Sequence, residues 1–134
     1  FRLRTSVMVR SPKSEVRSQI AIVPIPGPSA VTTALSISGF PTDKFLFLGF
    51  PPHKNKRKKF FQEVASASHT VVFYESNHRI RKCLEELGLV LPPDRQVCIC
   101  RELTKKFESV YRGNIAEIAA MNITDKGEFV VVIG

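Results

Sequence analysis

The chain has 134 residues, 43% of them hydrophobic and 24% charged, which fits one globular domain with a real core and excludes disorder of the chain as a whole. No apolar run approaches the roughly 20 residues needed to cross a bilayer, so no membrane span is expected. The formal charge of +8 suits a polyanionic partner without identifying one.

Arg2, Arg4, Arg10, Lys13 and Arg17, set against Glu15, place half of the basic excess in residues 1–20. Residues 1–19 are rich in Arg and Ser with weak periodicity, and read as a flexible or non-native arm outside the core. Because the chain begins at Phe1 rather than Met, it reads as part of a longer product.

From residue 20 onward, strand-like and helix-like segments alternate. Residues 20–24 form a short apolar strand, closed by a proline cluster through Pro28 that removes backbone donors and restricts φ. Ser29 is placed to cap a helix over residues 30–38, with Gly39 closing it. Residues 45–50 read as a strand, and residues 54–67 as a helix with Phe60, Phe61, Val64 and Ala65 inward. The run at 70–74 is β-branched and aromatic, the clearest strand in the chain. Ile80, Cys83, Leu84 and Leu87 then follow helical spacing, with Gly88 as a stop. A Pro92-Pro93-Asp94 turn precedes a strand at 96–100, and another strand is read at 107–111. Asn114 with Glu117 resembles a capping box ahead of a short helix carrying Ile115 and Ile118. Residues 129–133 form a continuous apolar run suited to a sheet covered on both faces. The alternation predicts an α/β layered domain, with a mixed sheet of about five strands flanked by helices.

Cys83, Cys98 and Cys100 are odd in number and lack metal-ligand spacing, so neither a disulfide scaffold nor a metal site is expected. They read as buried thiols in a reducing compartment.

Polar residues collect after two of the strands, where open α/β sheets bind ligands. The first group is Glu75, Ser76, Asn77, His78 and Arg79: a carboxylate, an imidazole able to take a proton and a guanidinium able to hold a phosphate. The second is Arg101, Glu102, Thr104, Lys105 and Lys106. Each group also has a plainer reading, as an ion-paired, capped turn or a solvated loop. Lys54, Lys56, Arg57, Lys58 and Lys59 form the densest basic run. By default it is a solvated helix face, and it is also suited to contacting consecutive phosphates.

Taken together, the stretches VPIPGPSAVTTALSISGFPTDKFLFLGF, TVVFYESNHRI, RELTKKFESVYRG and KGEFVVVIG closely resemble the ribosomal RNA small-subunit methyltransferase I family of the tetrapyrrole methylase superfamily. They occur in the family's order and spacing and are spread over the chain from Ile20 onward. Asn77 stands where the family usually has Pro. The resemblance implies the C-terminal domain of a two-domain enzyme that uses S-adenosyl-L-methionine to 2′-O-methylate a cytidine in small-subunit rRNA. Pro26, Gly27, Pro28, Ser29 and Ala30 would then lie near the cofactor. Glu75, His78 and Glu102 are candidates to orient or deprotonate the hydroxyl, while Arg79, Arg101 and Lys105 join the basic run as RNA contacts. The sulfonium is already activated, so no metal is needed. A homodimer is expected, in the cytoplasm or in an organelle of bacterial origin. Without the N-terminal domain the chain is expected to be inactive. Two alternatives stand beside this reading: a methyltransferase of the same superfamily acting on a tetrapyrrole or other small molecule, and a non-catalytic RNA-binding or dimerisation module.

Overall fold

In the computed structural model, residues 5–8 and 19–134 are described, and their side-chain surroundings from Ile22 onward. The expected arm lies largely outside the described residues. Its described part, β1 (Thr5–Met8), pairs antiparallel with β2 (Gln19–Ile22), Thr5 opposite Ile22 and Met8 opposite Gln19. The strand read at residues 20–24 is therefore real but belongs to a separate two-stranded sheet.

The apolar segments beyond the proline cluster build one five-stranded sheet: β3 (Phe45–Phe47), β4 (Thr70–Ser76), β5 (Gln96–Arg101), β6 (Ser109–Asn114) and β7 (Glu128–Ile133). Its order is β3-β4-β7-β5-β6. β3 is parallel to β4, and every other pair is antiparallel, so the expected mixed sheet is what forms. The continuous run of β7 takes the centre, where both faces of a strand are covered.

Period-two alternation divides the core. One face carries Val71, Phe73, Val97, Ile99, Val131 and Ile133, packed beneath three helices: α2 (Arg57–Ser66), α3 (Ile80–Val90) and α4 (Ile115–Ala120). Phe73 meets Phe60 edge-on at 5.4 Å. Each fully buried side chain of this size contributes about 1.5–3 kcal/mol. The opposite face carries Val72, Cys98, Cys100, Val130 and Val132, covered by Val31, Ala34 and Leu35 of a single helix, α1 (Ala30–Ser38).

Local signals explain most boundaries. Gly39 closes α1 in the left-handed region at φ 81°, as read. The capping box of α4 forms: Glu117 N donates to Asn114 Oδ1 at 2.8 Å, and Asn114 N to Glu117 Oε2 at 3.3 Å. All three cysteines are buried free thiols.

Three expectations are corrected. Ser29 precedes α1, but its side chain makes no capping bond; its carbonyl instead accepts from Thr33 N and from the Thr32 and Thr33 hydroxyls. The helix read from residue 54 begins at Arg57, because Lys56 adopts a left-handed φ of 68° that a right-handed helix cannot include. Gly88 does not stop α3, which runs on to Val90. The stop is Leu91, held extended at φ −92° and ψ 147° because Pro92 follows it.

Candidate active site

The pairing pattern sets the geometry of the site. β4 and β5 are both antiparallel to β7, and hence parallel to each other, so their polar C-terminal ends emerge at one edge of the sheet. Glu75 and Arg101 flank the same residue, Phe129, from opposite sides. At this edge lies a cavity of about 460 Å³, within the usual size range of small-molecule sites.

Its walls come from every segment that reaches the edge. Phe50, Tyr74, Leu103 and Phe129 supply apolar and aromatic surface, and Ala30 brings in the start of α1. Phe50 and Tyr74 pack at 5.3 Å between ring centroids. Polar surface comes from Glu75, Ser76 and Asn77 on one side, and from Glu102, Lys105 and Glu128 on the other.

Of the residues singled out by sequence, Ala30, Glu75, Glu102 and Lys105 thus meet at one cavity. Pro26, Gly27, Pro28 and Ser29 form an exposed connector leading to it, and among them only their neighbour Ala30 touches its wall. His78, Arg79 and Arg101 lie in the two loops but do not line the cavity. Phe50, Leu103 and Glu128 were not singled out. Phe50 and Leu103 are apolar and Glu128 is a lone carboxylate opening β7, so none stands out in sequence, and only the strand order brings them in.

Glu75 is 2% exposed. Its Oε1 accepts from Ser76 N at 2.8 Å and Arg79 Nε at 3.3 Å, and its Oε2 from Arg57 Nη2 at 3.2 Å. Three of its roughly four acceptor positions are therefore occupied, so the carboxylate organises the neighbours around it. Arg79 is held by Glu75 and also contacts His53 Nδ1, the ion pair that the plainer reading of this loop expects. Arg101 spans its own loop, with Nε donating to Lys126 O at 2.5 Å and Nη1 to Phe107 O at 2.9 Å. His78 is exposed and makes no hydrogen bond to the described residues.

The β5 loop is held differently. Glu102 and Thr104 carry left-handed φ values of 50° and 66°. Glu102 Oε1 accepts from Glu128 N at 2.9 Å, and Lys105 Nζ donates to Glu102 at 3.3 Å and to Glu128 at 2.8 Å. The Glu128 backbone N–H, assisted by Lys105, holds the Glu102 carboxyl below its ordinary range; Glu128 and Glu102 in turn raise the Lys105 ammonium.

The basic run splits. Lys54, Lys56, Lys58 and Lys59 are exposed, but Arg57 is 5% exposed and bonded to two carboxylates. Its assignment as an RNA contact is corrected, since reaching a phosphate would take the cation from the buried Glu75 and the partly exposed Glu86.

A layered α/β domain whose cavity opens at the carboxyl ends of two parallel strands belongs to the ligand-binding class of such folds. Residues 9–119 match the family Tetrapyrrole (Corrin/Porphyrin) Methylases, and the chain belongs to that family. It is 42% identical over 123 residues to Ribosomal RNA small subunit methyltransferase I of Halalkalibacterium halodurans, covering 90% of this chain and 42% of the relative. The protein of the same name in Vibrio cholerae is 45% identical over 119 residues, covering 85% of this chain and 41% of the relative. The chain thus spans about two fifths of the length of these relatives. Among solved structures, the methyltransferase CobJ superposes with a TM-score of 0.59 at 21% identity, covering 81% of this chain and 48% of that one. Diphthine synthase gives 0.59 at 12% identity, covering 82% and 47%. At these identities the structures bear on fold alone.

Proposed function

We propose that this chain is the C-terminal domain of a methyltransferase that uses S-adenosyl-L-methionine to 2′-O-methylate a cytidine of small-subunit rRNA. The observation that carries the reading is the convergence of Ala30 with both strand-end loops on one cavity, in a chain 42% identical to an rRNA methyltransferase. The cavity suits one side of such a cofactor: aromatic and aliphatic walls at Phe50, Tyr74 and Leu103 for a planar base, and carboxylates at Glu102 and Glu128 for hydroxyl or ammonium groups.

When bound, the cofactor supplies a methyl group already activated by its sulfonium. The protein's part is to align a ribose hydroxyl and receive its proton. Glu102 stands on the cavity wall with a lowered proton affinity, so it orients the hydroxyl as an acceptor. His78, exposed just beyond Asn77, which lines the cavity, is the candidate to receive the proton from the hydroxyl. Lys54, Lys56, Lys58 and Lys59 meet phosphates of the same RNA. The remaining wall of the cofactor cleft belongs to an N-terminal domain, so the chain alone is inactive. The whole enzyme is proposed to be a homodimer, in the cytoplasm or in an organelle of bacterial origin.

Two measurements test this. Small-subunit rRNA from cells lacking the gene should lose one 2′-O-methylcytidine by primer-extension mapping, and an unchanged pattern overturns the substrate. Calorimetric titration of the chain with S-adenosyl-L-methionine should show no tight site, whereas sub-micromolar binding contradicts the need for a second wall.

A further inference from the structure

Four charges are folded into the corner where β4 ends. Arg57 Nε donates to Glu86 Oε1 and Oε2 at 3.0 and 2.8 Å, Nη2 to Glu75 at 3.2 Å, and Nη1 to the Pro52 carbonyl at 3.2 Å. Its guanidinium lies 5.2 Å from the Phe61 ring centre. Arg79 closes the set on Glu75. Burial opposes the charge on Arg57, but Glu86 and Glu75 more than reverse that and raise its proton affinity above the ordinary guanidinium value. Two arginines and two glutamates cancel, so the set adds nothing to the net attraction for a polyanion.

Its effect is geometric. Arg57 is the first residue of α2, directly after the left-handed Lys56, and its bond to Pro52 O closes residues 52–57 from the inside. The lysines project from that turn and from the first turn of the helix. The Glu75 that receives Arg57 also stands on the cavity wall. We infer that Arg57, Glu75 and Glu86 are positioning residues, which fix the lysine-bearing turn relative to the cavity so that Lys54, Lys56, Lys58 and Lys59 engage RNA phosphates as a set. The inference rests on the RNA-binding reading above.

Charge reversal of expectation makes it testable. Glu75→Gln and Glu86→Gln each conserve shape and remove one negative charge, which by bulk attraction alone would strengthen RNA binding. Loss of the positioning predicts the opposite. The full chain should bind a fragment of small-subunit rRNA about three- to tenfold more weakly near 0.1 M salt, with a salt slope shallower by about one unit, the equivalent of one phosphate contact. A merely structural role would leave the slope of the folded variant unchanged. Glu86 does not line the cavity, so its effect separates positioning from direct contact there. Should Glu75→Gln fail to fold, Glu86→Gln, whose side chain is 24% exposed, carries the same expectation alone. Equal or tighter binding with an unchanged slope overturns the inference. The pair Lys58→Gln and Lys59→Gln distinguishes the two levels. If these also leave the slope unchanged, the RNA reading fails and takes the inference with it. If they flatten it while the glutamine variants do not, the positioning alone fails.

Discussion

The ends of β4 and β5 leave the sheet side by side, across Phe129 from each other, and reach the same cavity by opposite means. At β4 the carboxylate of Glu75 is sunk among two arginines, and its side chain is inaccessible to solvent. At β5 the carboxylate of Glu102 is tied to a backbone N–H and to a half-exposed lysine, on a loop with two left-handed non-glycine residues. One loop is held by desolvated charge, costly to break; the other by local backbone geometry, cheap to perturb and responsive to solvent. A cavity built this way has one fixed wall and one adjustable wall.

The contrast is broken most severely at the β4 end. Arg57→Ala leaves the buried Glu75 with only Arg79 as a cation and takes the cation from the partly exposed Glu86, and should lower stability by about 3 kcal/mol in denaturant unfolding, the low end for breaking a buried ion pair. A loss under 1 kcal/mol would mean the corner is as loosely held as its neighbour. Next in size is Gly127→Ala. Gly127 has φ 99°, and a Cβ there would lie 2.5 Å from Glu102 Cγ. Strain of this kind costs about 1–3 kcal/mol, and it should appear in thermal melting together with faster amide exchange across residues 101–108.

The smallest effect concerns pH. Because the Glu102 proton affinity is lowered by folding, its contribution is complete above the ordinary carboxylate range and disappears as pH falls through its depressed value. Lys105 is raised, so its contribution holds below the ordinary lysine range and disappears as pH climbs through the elevated value. Amide exchange, corrected for its intrinsic pH dependence, should therefore show the β5 loop best protected between those limits. Lys105→Gln should remove the alkaline limit with little change in melting temperature. Protection of the β5 loop that does not change with pH would overturn this account of how it is held.

Much of this was legible in sequence, and the failures have physical causes. Hydrophobic period identified β4, β7 and the α3 stripe, because those segments are buried along one face or both. The capping box of α4 was readable because both of its bonds are local. Arg57 was not: nothing in a run of five basic residues marks the one that will be buried, since its partners Glu75 and Glu86 lie 18 and 29 residues away. The same holds for Phe50 and Glu128, which join the cavity only through the strand order. Gly88 misled because glycine is a frequent helix stop, whereas here the following Pro92 decides.

The position of β7 has a consequence for how the molecule comes into being. It is the last described strand in the chain and the middle one in the sheet. A nascent chain synthesised as far as Lys126 holds β3 with β4 and β5 with β6 as two unjoined pairs. Each pair then bears an open apolar edge of the kind that recruits foreign strands. Only when residues 128–133 leave the ribosome do they seat between the pairs, so the decisive contacts span long stretches of chain and closure is slow relative to local helix formation. Until that insertion the unpaired edges are open to aggregation, and a chain cut short of Glu128 lacks the strand that joins the two pairs.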